Sequence, residues 1–413
     1  MTKVSATQVE RNTFPNQAPP IILNAWEKKL LKIRILSQLF HMCFKETGNP
    51  FSGFKFLKAI RKKYQAVFGG AFLQKVAKVD GRYYWRLAAP GFPSRSSTLN
   101  FRNEFIRIHT NESFHGLRTL ILSITNQCPL HCEHCYEWKN LNKKDALSTN
   151  EFIQIVHQYQ EYGTTQIIFS GGEPMLKINE VCQILNAAKP GTDFWMVSSG
   201  LGLSVDRAIR LKKAGLTGVI ISLDHFDANA HDHFRGFEGA YEHAIHAVIN
   251  ANEVHLVTAV SLCATRQFVE EGNFTAYMEL AKKLGVSFVQ LLEPKATGKY
   301  AGLNVELNAE EIKKLETWYL HYNDSPLCQD YPIVNYLGYH QRKMGCFGAG
   351  DRFLYIDADG DAHACPFCGD KVANVLQFPV KDIIGLLAQQ SCEAFGSERI
   401  SRFEITIEEN RME

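Results

Sequence analysis

Apolar runs rich in β-branched residues alternate with helix-length amphipathic stretches through the middle of this chain of 413 residues. From residue 117 onward the alternation occurs six times, and short runs of this kind are typical of strands that are buried on both faces. The pattern predicts strands at Thr119–Thr125, Gln166–Ser170, Phe194–Ser198, Gly218–Leu223, Val254–Leu262 and Ser287–Leu292. It predicts helices, among others, at Thr149–Tyr162, Val205–Ala214, Ala240–Asn250 and Glu270–Leu284.

Six consecutive β-α units predict an α/β fold with a parallel sheet, because parallel neighbours need a crossover connection. Six units fit an open, partial (β/α)6 barrel of the TIM type better than a closed barrel of eight. In such folds the chemistry lies at the carboxyl ends of the strands. Functional residues are therefore expected in the loops that follow each strand.

The region before the barrel has a different pattern. Residues 21–71 show helical periodicity, Asn49-Pro50 separates two helices, and Gly69-Gly70 is expected to end the second. Asp80-Gly81 predicts a turn into a strand. A connector rich in Pro and Ser at 90–97 predicts a domain boundary between there and residue 115.

These patterns predict four units along the chain. They are a flexible tail at 1–20, a basic and mainly helical N-terminal region at 21–115, the partial barrel at 116–300, and a segment at 301–413 that begins with a linker helix.

Composition is that of a globular protein, with 45% hydrophobic and 21% charged residues. There is no apolar run of 18 residues and no signal-peptide pattern, so the cytoplasm is the expected location. The charge is uneven: residues 1–115 carry 19 Lys/Arg against 6 Asp/Glu, whereas the remainder is acidic. A basic region indicates either an anionic partner or a face that docks on the acidic body.

A nucleic-acid partner is not expected, because no base-reading motif accompanies the basic charge. A peripheral membrane contact is one alternative, because aromatic and basic residues are interleaved in one predicted helix. The residues of that segment are Phe51, Phe54, Phe56, Arg61, Lys62, Lys63 and Tyr64.

Cysteine is the residue that points to chemistry. The eleven cysteines are Cys43, Cys128, Cys132, Cys135, Cys182, Cys263, Cys328, Cys346, Cys365, Cys368 and Cys392. Disulfides are rare in the expected compartment, and isolated cysteines are usually small buried hydrophobes. The two tight groups therefore indicate metal or redox chemistry.

The first group is Cys128-Pro-Leu-His-Cys132-Glu-His-Cys135-Tyr136, directly after the first predicted strand. Three thiolates on one loop can converge on a [4Fe–4S] cluster, in which each iron usually takes one protein thiolate. One iron then stays open for a ligand. Structural zinc is the alternative, with His131 or His134 as a cramped fourth ligand.

This C-x3-C-x2-C arrangement resembles the signature of the radical S-adenosylmethionine (SAM) superfamily. Later elements strengthen the resemblance: Ser170-Gly-Gly-Glu-Pro174 after the second strand, Ser198-Ser-Gly200 after the third, Ser222-Leu-Asp224 after the fourth, and His231-Asp-His-Phe-Arg-Gly236 beyond it. The resemblance covers residues 117–295. It implies SAM contacts at Gly171, Gly172, Glu173, Pro174, Ser199, Ser222, Asp224 and Arg235; at Ser198-Ser-Gly200 the sequence departs from the Thr-Asn-Gly that relatives often show.

The resemblance also implies a reaction. SAM would chelate the open iron, a reductant such as flavodoxin or ferredoxin would supply an electron, and the resulting 5′-deoxyadenosyl radical would abstract a hydrogen atom from a substrate. The cofactors carry this chemistry, while the protein positions the substrate. The sequence identifies no catalytic side chain beyond the ligands.

The second cysteine group lies around a predicted hairpin formed by Phe353–Ile356 and the turn at Asp357–Gly360. Cys346, Gly360 and Cys365 resemble the C-x(9–15)-G-x4-C opening of SPASM and twitch domains, which carry auxiliary iron–sulfur clusters. The full SPASM run of cysteines is missing, so one auxiliary [4Fe–4S] cluster in a twitch-like domain is expected. The predicted ligands are Cys346, Cys365 and Cys368, with Cys328 as the preferred fourth and Cys392 as the next; a zinc ribbon is the structural alternative.

Three functions remain open on the sequence. The enzyme is expected to modify a peptide or protein, as many SPASM and twitch relatives do, although no leader-binding module is evident before the barrel. The alternatives are radical modification of a lipid or other small molecule at a membrane surface, and a non-catalytic iron–sulfur electron-transfer protein. The intact glycine and arginine elements disfavour the last.

Overall fold

The structure, a computed structural model, describes residues 21–68, 73–110, 115–390 and 392, and is limited to the backbone at residues 21 and 60–68. The predicted tail at 1–20 and the Gly69-Gly70 helix end lie outside the described residues. In the part of the chain that the structure describes, no helix has the length and apolarity needed to cross a bilayer.

Thirteen strands are present among the described residues. They are β1 (Ile21–Ile22), β2 (Ala77–Val79), β3 (Arg82–Tyr84), β4 (Thr119–Ser123), β5 (Gln166–Ser170), β6 (Asp193–Ser198), β7 (Leu216–Ser222), β8 (Val257–Cys263), β9 (Phe288–Leu292), β10 (Ile333–Tyr336), β11 (Phe353–Ile356), β12 (Asp361–His363) and β13 (Lys371–Asn374).

The same residues form thirteen α-helices. They are α1 (Ala25–Thr47), α2 (Pro50–Phe68), α3 (Arg95–Thr110), α4 (Thr149–Glu161), α5 (Ile178–Ala187), α6 (Val205–Ala214), α7 (Ala228–Arg235), α8 (Ala240–Glu253), α9 (Arg266–Glu270), α10 (Phe274–Lys283), α11 (Ala309–Asp324), α12 (Leu337–Met344) and α13 (Val380–Ala388). Short 3-10 helices occur at Pro174–Lys177, Gly298–Tyr300 and Pro326–Cys328.

Local sequence explains several helix starts. Asn24, Ser148 and Asn308 each cap a helix, and a Glu three residues later returns the bond to the cap backbone. These reciprocal bonds satisfy amide groups that the first helical turn leaves unpaired. The boundaries of α1, α4 and α11 are therefore encoded within a few residues.

The six predicted strands, β4 to β9, are confirmed as adjacent and parallel in chain order. Two further parallel strands extend this sheet: β10 pairs with β9, and β11 pairs with β4. The segment after residue 300 thus contributes strands to the barrel sheet, which the expectation of a separate C-terminal unit did not include. The hairpin prediction at 353–360 is confirmed by the antiparallel β11–β12 pair, to which β13 is added.

Other differences are local. The helix expected at Glu270–Leu284 begins only at Phe274, as α10; Gly272, at a φ of +70°, separates it from the short helix α9, which ends at Glu270. The connector expected at 90–97 ends at Ser94, because α3 begins at Arg95. The helices α1 and α2 and the β2–β3 turn at Asp80-Gly81 agree with the sequence prediction.

The barrel sheet is apolar on both faces. Side chains such as Met196 and Ile221 point outward into the core beneath the helices, whereas their neighbours Trp195 and Ile220 point into the barrel. The inward set packs against Tyr84 of the N-terminal region. The barrel interior is therefore partly filled by the region that precedes it.

Polar contacts fix that region at the amino ends of the strands. At the start of β6, buried Asp193 accepts hydrogen bonds from the Ser96 hydroxyl at 2.6 Å and the Gly91 amide at 3.1 Å, and it pairs with Arg82. The side chain of Gln166 donates to the Leu87 carbonyl at 2.9 Å. The carboxyl ends of the strands consequently remain available for chemistry.

Replacing Asp193 by Ala should lower the free energy of unfolding by about 2–4 kcal/mol, because two buried donors lose their acceptor. Thermal and urea unfolding of the full chain would measure the loss. Asp206→Ala, at an exposed position in the first turn of α6, is the matched control. It should lower the free energy of unfolding by only a few tenths of the loss in Asp193→Ala. Equal losses in both variants would contradict the docking role of Asp193.

Candidate functional site

The first cysteine group lies on the loop that follows β4, at the carboxyl end of the barrel. The Cys128 amide donates to the Asn142 side chain at 3.0 Å, which fixes the start of the loop. Burial, with a smaller contribution from the charge of the neighbouring Cys132, raises the pKa of Cys128 to about 11 and that of Cys135 to about 12. The structure therefore brings the three predicted ligands together in one desolvated cluster of thiols.

Two glycines permit close packing against the backbone of this loop. A Cβ on Gly236 would lie 2.8 Å from the His131 carbonyl oxygen, and one on Gly298 would collide with the Cys135 carbonyl. Both glycines have positive φ, at +59°. Only a residue without a side chain fits at either position.

Hydrogen bonds complete the contact on both sides of the loop. The His131 and Glu133 amides donate to the carbonyls of Arg235 and Phe234, at 3.1 and 3.0 Å. On the other side, the Lys299 amide donates to the Cys135 carbonyl at 2.9 Å.

The Lys299 side chain adds two contacts. Its ammonium group donates to the His131 carbonyl at 3.0 Å and lies 4.5 Å from the centroid of the Trp138 ring. The end of α7 and the 298–300 turn thus hold the cysteine loop between them.

The Gly171-Gly172 pair lies at the end of β5 against the same loop. A Cβ on either glycine would collide with the backbone carbonyl of Thr125 or Gln127. The Gly172 amide donates to the Thr125 carbonyl at 2.7 Å, and the Glu173 amide donates to the Gln127 carbonyl at 2.8 Å. These two amides are therefore used within the protein, and Pro174, which has no amide hydrogen, follows directly.

Glu173 is buried and links the ends of two strands. Its carboxylate accepts from the Ser198 hydroxyl at 2.7 Å, and from the Ser199 amide and hydroxyl at 2.8 and 2.5 Å. The Ser199 hydroxyl, a SAM contact that the resemblance implies, is thus bonded to Glu173. Ser222, at the end of β7, is also buried.

A buried ion pair lies next to the cysteines. Asp224 accepts from Nε and Nη2 of Arg235 at 2.6 and 2.5 Å, and from the Cys263 amide at 2.9 Å. The third nitrogen, Nη1, lies 3.6 Å from the Cys132 sulfur. Burial opposes ionisation of Asp224, but Arg235, the neighbouring His134 and His231, and the hydrogen bond from the Cys263 amide together outweigh it and lower the pKa of that carboxyl.

Two nitrogens of the Arg235 guanidinium are therefore bonded to Asp224, and the SAM contact at Arg235 that the resemblance implies stays a prediction. Only Nη1 is directed toward the cysteine loop. In this position the guanidinium offsets negative charge on the thiolates, since a cation beside a sulfur favours the thiolate form.

A cavity of 1330 Å³ occupies the barrel interior. Tyr136, next to Cys135, lines it, and its hydroxyl lies 3.1 Å from that of Ser170. Other lining residues are Val197, Ile220, Ser261, Gln290, Tyr336, Cys346, Cys365, Phe367, Cys368 and Cys392. The cavity thus extends from the first cysteine loop to the second cysteine group.

Residues 122–265 match the family model of the radical SAM superfamily. This part of the chain is a radical SAM domain. The chain is similar to the AdoMet-dependent heme synthase of Nitratidesulfovibrio vulgaris (strain ATCC 29579 / DSM 644 / CCUG 34227 / NCIMB 8303 / VKM B-1760 / Hildenborough), at 24% identity over 302 residues, which cover 65% of this chain and 82% of the relative.

Solved structures share the fold. The crystal structure of Streptococcus suis SuiB bound to precursor peptide SuiA matches with a TM-score of 0.55 and 13% identity, covering 70% of this chain and 69% of that one. Native anSMEcpe with bound AdoMet matches with a TM-score of 0.50 and 15% identity, covering 65% and 80% of the two chains.

The donor set of this radical SAM domain fits a [4Fe–4S] cluster. Three thiols on one loop supply three ligands, and Nη1 of Arg235 lies 3.6 Å from the sulfur of one of them, Cys132. No three His, Cys, Asp or Glu side chains in the described part of the chain have the spacing of ligands to a single metal ion. Cluster ligands differ from such a set, because each thiolate binds its own iron.

In the second cysteine group, the structure brings together four thiols. The sulfurs of Cys365 and Cys368 are 3.3 Å apart, and their shared hydrogen bond raises the pKa of Cys365 and lowers that of Cys368. Burial raises the pKa of Cys346 to about 11, and the negative charge of Cys392 and a hydrogen bond that the Cys346 thiol donates to it contribute. Cys392, ranked second on the sequence, is therefore adjacent to the predicted ligands.

Cys328, the preferred fourth ligand on the sequence, is placed elsewhere. It is buried at the end of the 3-10 helix after α11, and its sulfur lies 3.4 Å from Nε2 of His321. It does not line the cavity that the other four share. Proximity to Cys346 in sequence does not determine proximity across β10 and α12, and the identity of the fourth ligand stays a prediction.

Sequence reasoning missed the contacts that hold the cysteine loop, namely Gly236, Lys299 and Tyr300. The Tyr300 hydroxyl lies 3.4 Å from the Glu133 carboxylate. The sequence Gly298-Lys-Tyr300 did contain a signal for a functional contact. A glycine follows the last predicted barrel strand there, just as glycines follow other strands of the barrel. Its partner could not be inferred, since residues 135 and 298 are far apart in sequence.

Replacing Gly298 by Ala should reduce iron incorporation and SAM cleavage at least tenfold, because its Cβ would collide with the Cys135 carbonyl. Gly302→Ala is the matched control: Gly302 also has positive φ, at +79°, but nothing lies within 4 Å of its Cβ position. Iron analysis and the absorbance of the reconstituted protein would measure both. An equal loss of iron in the two variants would show that backbone strain, and not the contact with the cysteine loop, causes the loss.

Proposed function

We propose that this radical SAM enzyme abstracts a hydrogen atom from a peptide or protein side chain held in the barrel cavity. We further propose that an auxiliary [4Fe–4S] cluster lies at the far end of that cavity, in a twitch-like unit. One observation carries the proposal: a single cavity of 1330 Å³ reaches from Tyr136 at the first cysteine loop to Cys346, Cys365, Cys368 and Cys392.

Residues of the chain itself would bind the cluster and SAM, orient the substrate and exclude water. Cys128, Cys132 and Cys135 would hold the first cluster, and the end of β5 with Gly171-Gly172 would receive the SAM amino group. When bound, the cluster and SAM supply a 5′-deoxyadenosyl radical that removes hydrogen from the substrate. Arg235 and Asp224, both buried, keep a fixed positive charge at the sulfurs and restrict water there.

The two cysteine groups are connected by aromatic rings. The Tyr136 ring packs edge-on against Tyr355 and Phe367, with centroids 5.9 and 6.0 Å away. Phe367 lies between Cys365 and Cys368 in sequence. This contact supports electron exchange between a substrate near Tyr136 and the auxiliary site, while a flavodoxin or ferredoxin would deliver the first electron.

Two features favour a peptide. The cavity exceeds the range of about 300–1,000 Å³ that is usual for small-molecule sites. The lining cations also have partners: Arg118 pairs with Glu104 at 2.9 Å, Arg352 pairs with Asp351 at 3.2 Å, and Lys75 donates to the Tyr322 and Tyr331 carbonyls. A substrate with several carboxylates would have to compete for them. The similarity in fold to SuiB, whose structure contains a precursor peptide, agrees with a peptide substrate.

A tetrapyrrole is the second candidate, because the chain is similar to an AdoMet-dependent heme synthase over most of that relative's length. Aromatic lining residues such as Trp85, Tyr336 and Phe367 would suit a large flat ring. A lipid or other small molecule remains the third, and the enzyme assignment replaces the non-catalytic interpretation.

The substrate class can be tested by isotope transfer. Anaerobically reconstituted enzyme with SAM and dithionite should form 5′-deoxyadenosine, and a deuterated peptide pool should transfer deuterium into it. An iron porphyrin should not stimulate the reaction. Mass spectrometry measures both, and Cys132→Ala should give no 5′-deoxyadenosine. Stimulation by the porphyrin, without transfer from peptides, would move the substrate to the second candidate.

The auxiliary ligands can be tested by paired substitutions. Two [4Fe–4S] clusters predict about eight irons per chain. Cys392→Ser should lower this number toward about four or change the electron paramagnetic resonance spectrum of the second cluster, whereas Cys328→Ser should leave both unchanged. Iron, sulfide and spectroscopic measurements would decide. The reverse pattern would restore Cys328 as the fourth ligand.

A further inference from the structure

Helix α1 is apolar on two opposite sides. Its inner side packs into the core of the N-terminal region through Leu31, Ile35, Leu39 and Met42. Its outer side exposes Trp26, Leu30, Ile33, Leu36 and Phe44, most of them spaced by three or four residues. Residues with this spacing share one helix face, and a helix that is apolar all round is normally buried all round.

The exposed side continues onto the start of α2. Phe51 and Phe54 are 69% and 64% exposed, and the Phe54 ring packs edge-on against Phe40 of α1 with centroids 5.2 Å apart. We call Trp26, Leu30, Ile33, Leu36, Phe44, Phe51 and Phe54 the outer face. Phe56, which the sequence placed in a candidate membrane segment, is buried and does not belong to it.

Positive charge surrounds the outer face. Lys29, Lys45, Lys55 and Lys58 are exposed along the same two helices. The nearby acidic residues are engaged: Glu27 completes the α1 capping box, and Glu46 pairs with Arg102 at 2.8 Å. The field around the outer face is therefore basic.

We propose that the outer face rests on an anionic lipid bilayer, with α1 lying parallel to the surface. Aromatic and branched side chains would enter the boundary between head groups and acyl chains. Lysines at the rim would extend to the anionic head groups. A 23-residue helix is about 35 Å long, which provides a continuous contact line. This inference is independent of the proposed substrate.

Charge is the reason to prefer lipid over a second copy of the chain. Two copies related by a twofold axis would place the same basic rim against itself, which disfavours the contact. An anionic surface offers the opposite charge. The geometry also brings the cavity near the membrane, since Leu39 on the inner side of α1 lines it.

The test uses the full chain and extruded vesicles. Wild-type protein should co-sediment with vesicles of equal phosphatidylcholine and phosphatidylglycerol, and release in high salt should follow from screening. Ile33→Glu should weaken binding at least tenfold. The double variant Lys29→Glu, Lys55→Glu should weaken it by a similar factor, because each basic residue near the surface contributes about 1 kcal/mol.

Leu327→Glu is the matched control, since Leu327 is 85% exposed but lies after α11, outside the outer face. It should bind like wild type, and unfolding curves would confirm that all variants are folded. Failure of wild type to bind anionic vesicles would overturn the proposal. So would a concentration-dependent dimer that Ile33→Glu converts to a monomer, because that result would assign the outer face to a second copy.

Discussion

Close backbone contact at glycine is the constraint on which the candidate site depends. The cysteine loop is held between Gly236 and Gly298, and its start lies against Gly171-Gly172. At each of these points a side chain would collide with a carbonyl of the loop or of the residues just before it. The shape of the loop therefore depends on the surrounding backbone as much as on its own sequence.

The second constraint is charge. Three thiolates in a desolvated place would repel each other, and Arg235 is the cation that the fold supplies beside them. A lone buried arginine would be costly, and Asp224 offsets that cost through two short hydrogen bonds. The pair joins the end of β7 to the end of α7, so the electrostatics of the site also fix the position of the helix that supports the loop.

The C-terminal segment changes how the barrel is understood. By adding β10 and β11 to opposite ends of the six-stranded sheet, it enlarges the barrel and brings the second cysteine group to the cavity. The N-terminal region contributes from the other side. It packs Tyr84 and Leu87 into the amino end of the barrel, and it leaves the outer side of α1 uncovered by the described residues. The N-terminal region, the barrel and the C-terminal segment thus together line one cavity.

The sequence by itself determined the six parallel strands, two helices of the N-terminal region, the hairpin after Cys346, and the three cysteines of the first group. Each of these depends on periodicity, turn residues or spacing within a few positions. It did not determine the adjacency of Cys392 to Cys346, the separation of Cys328 from them, or the occupation of the Arg235 fork by Asp224. Those features join residues that are distant along the chain, and only packing of the folded barrel fixes which distant groups meet.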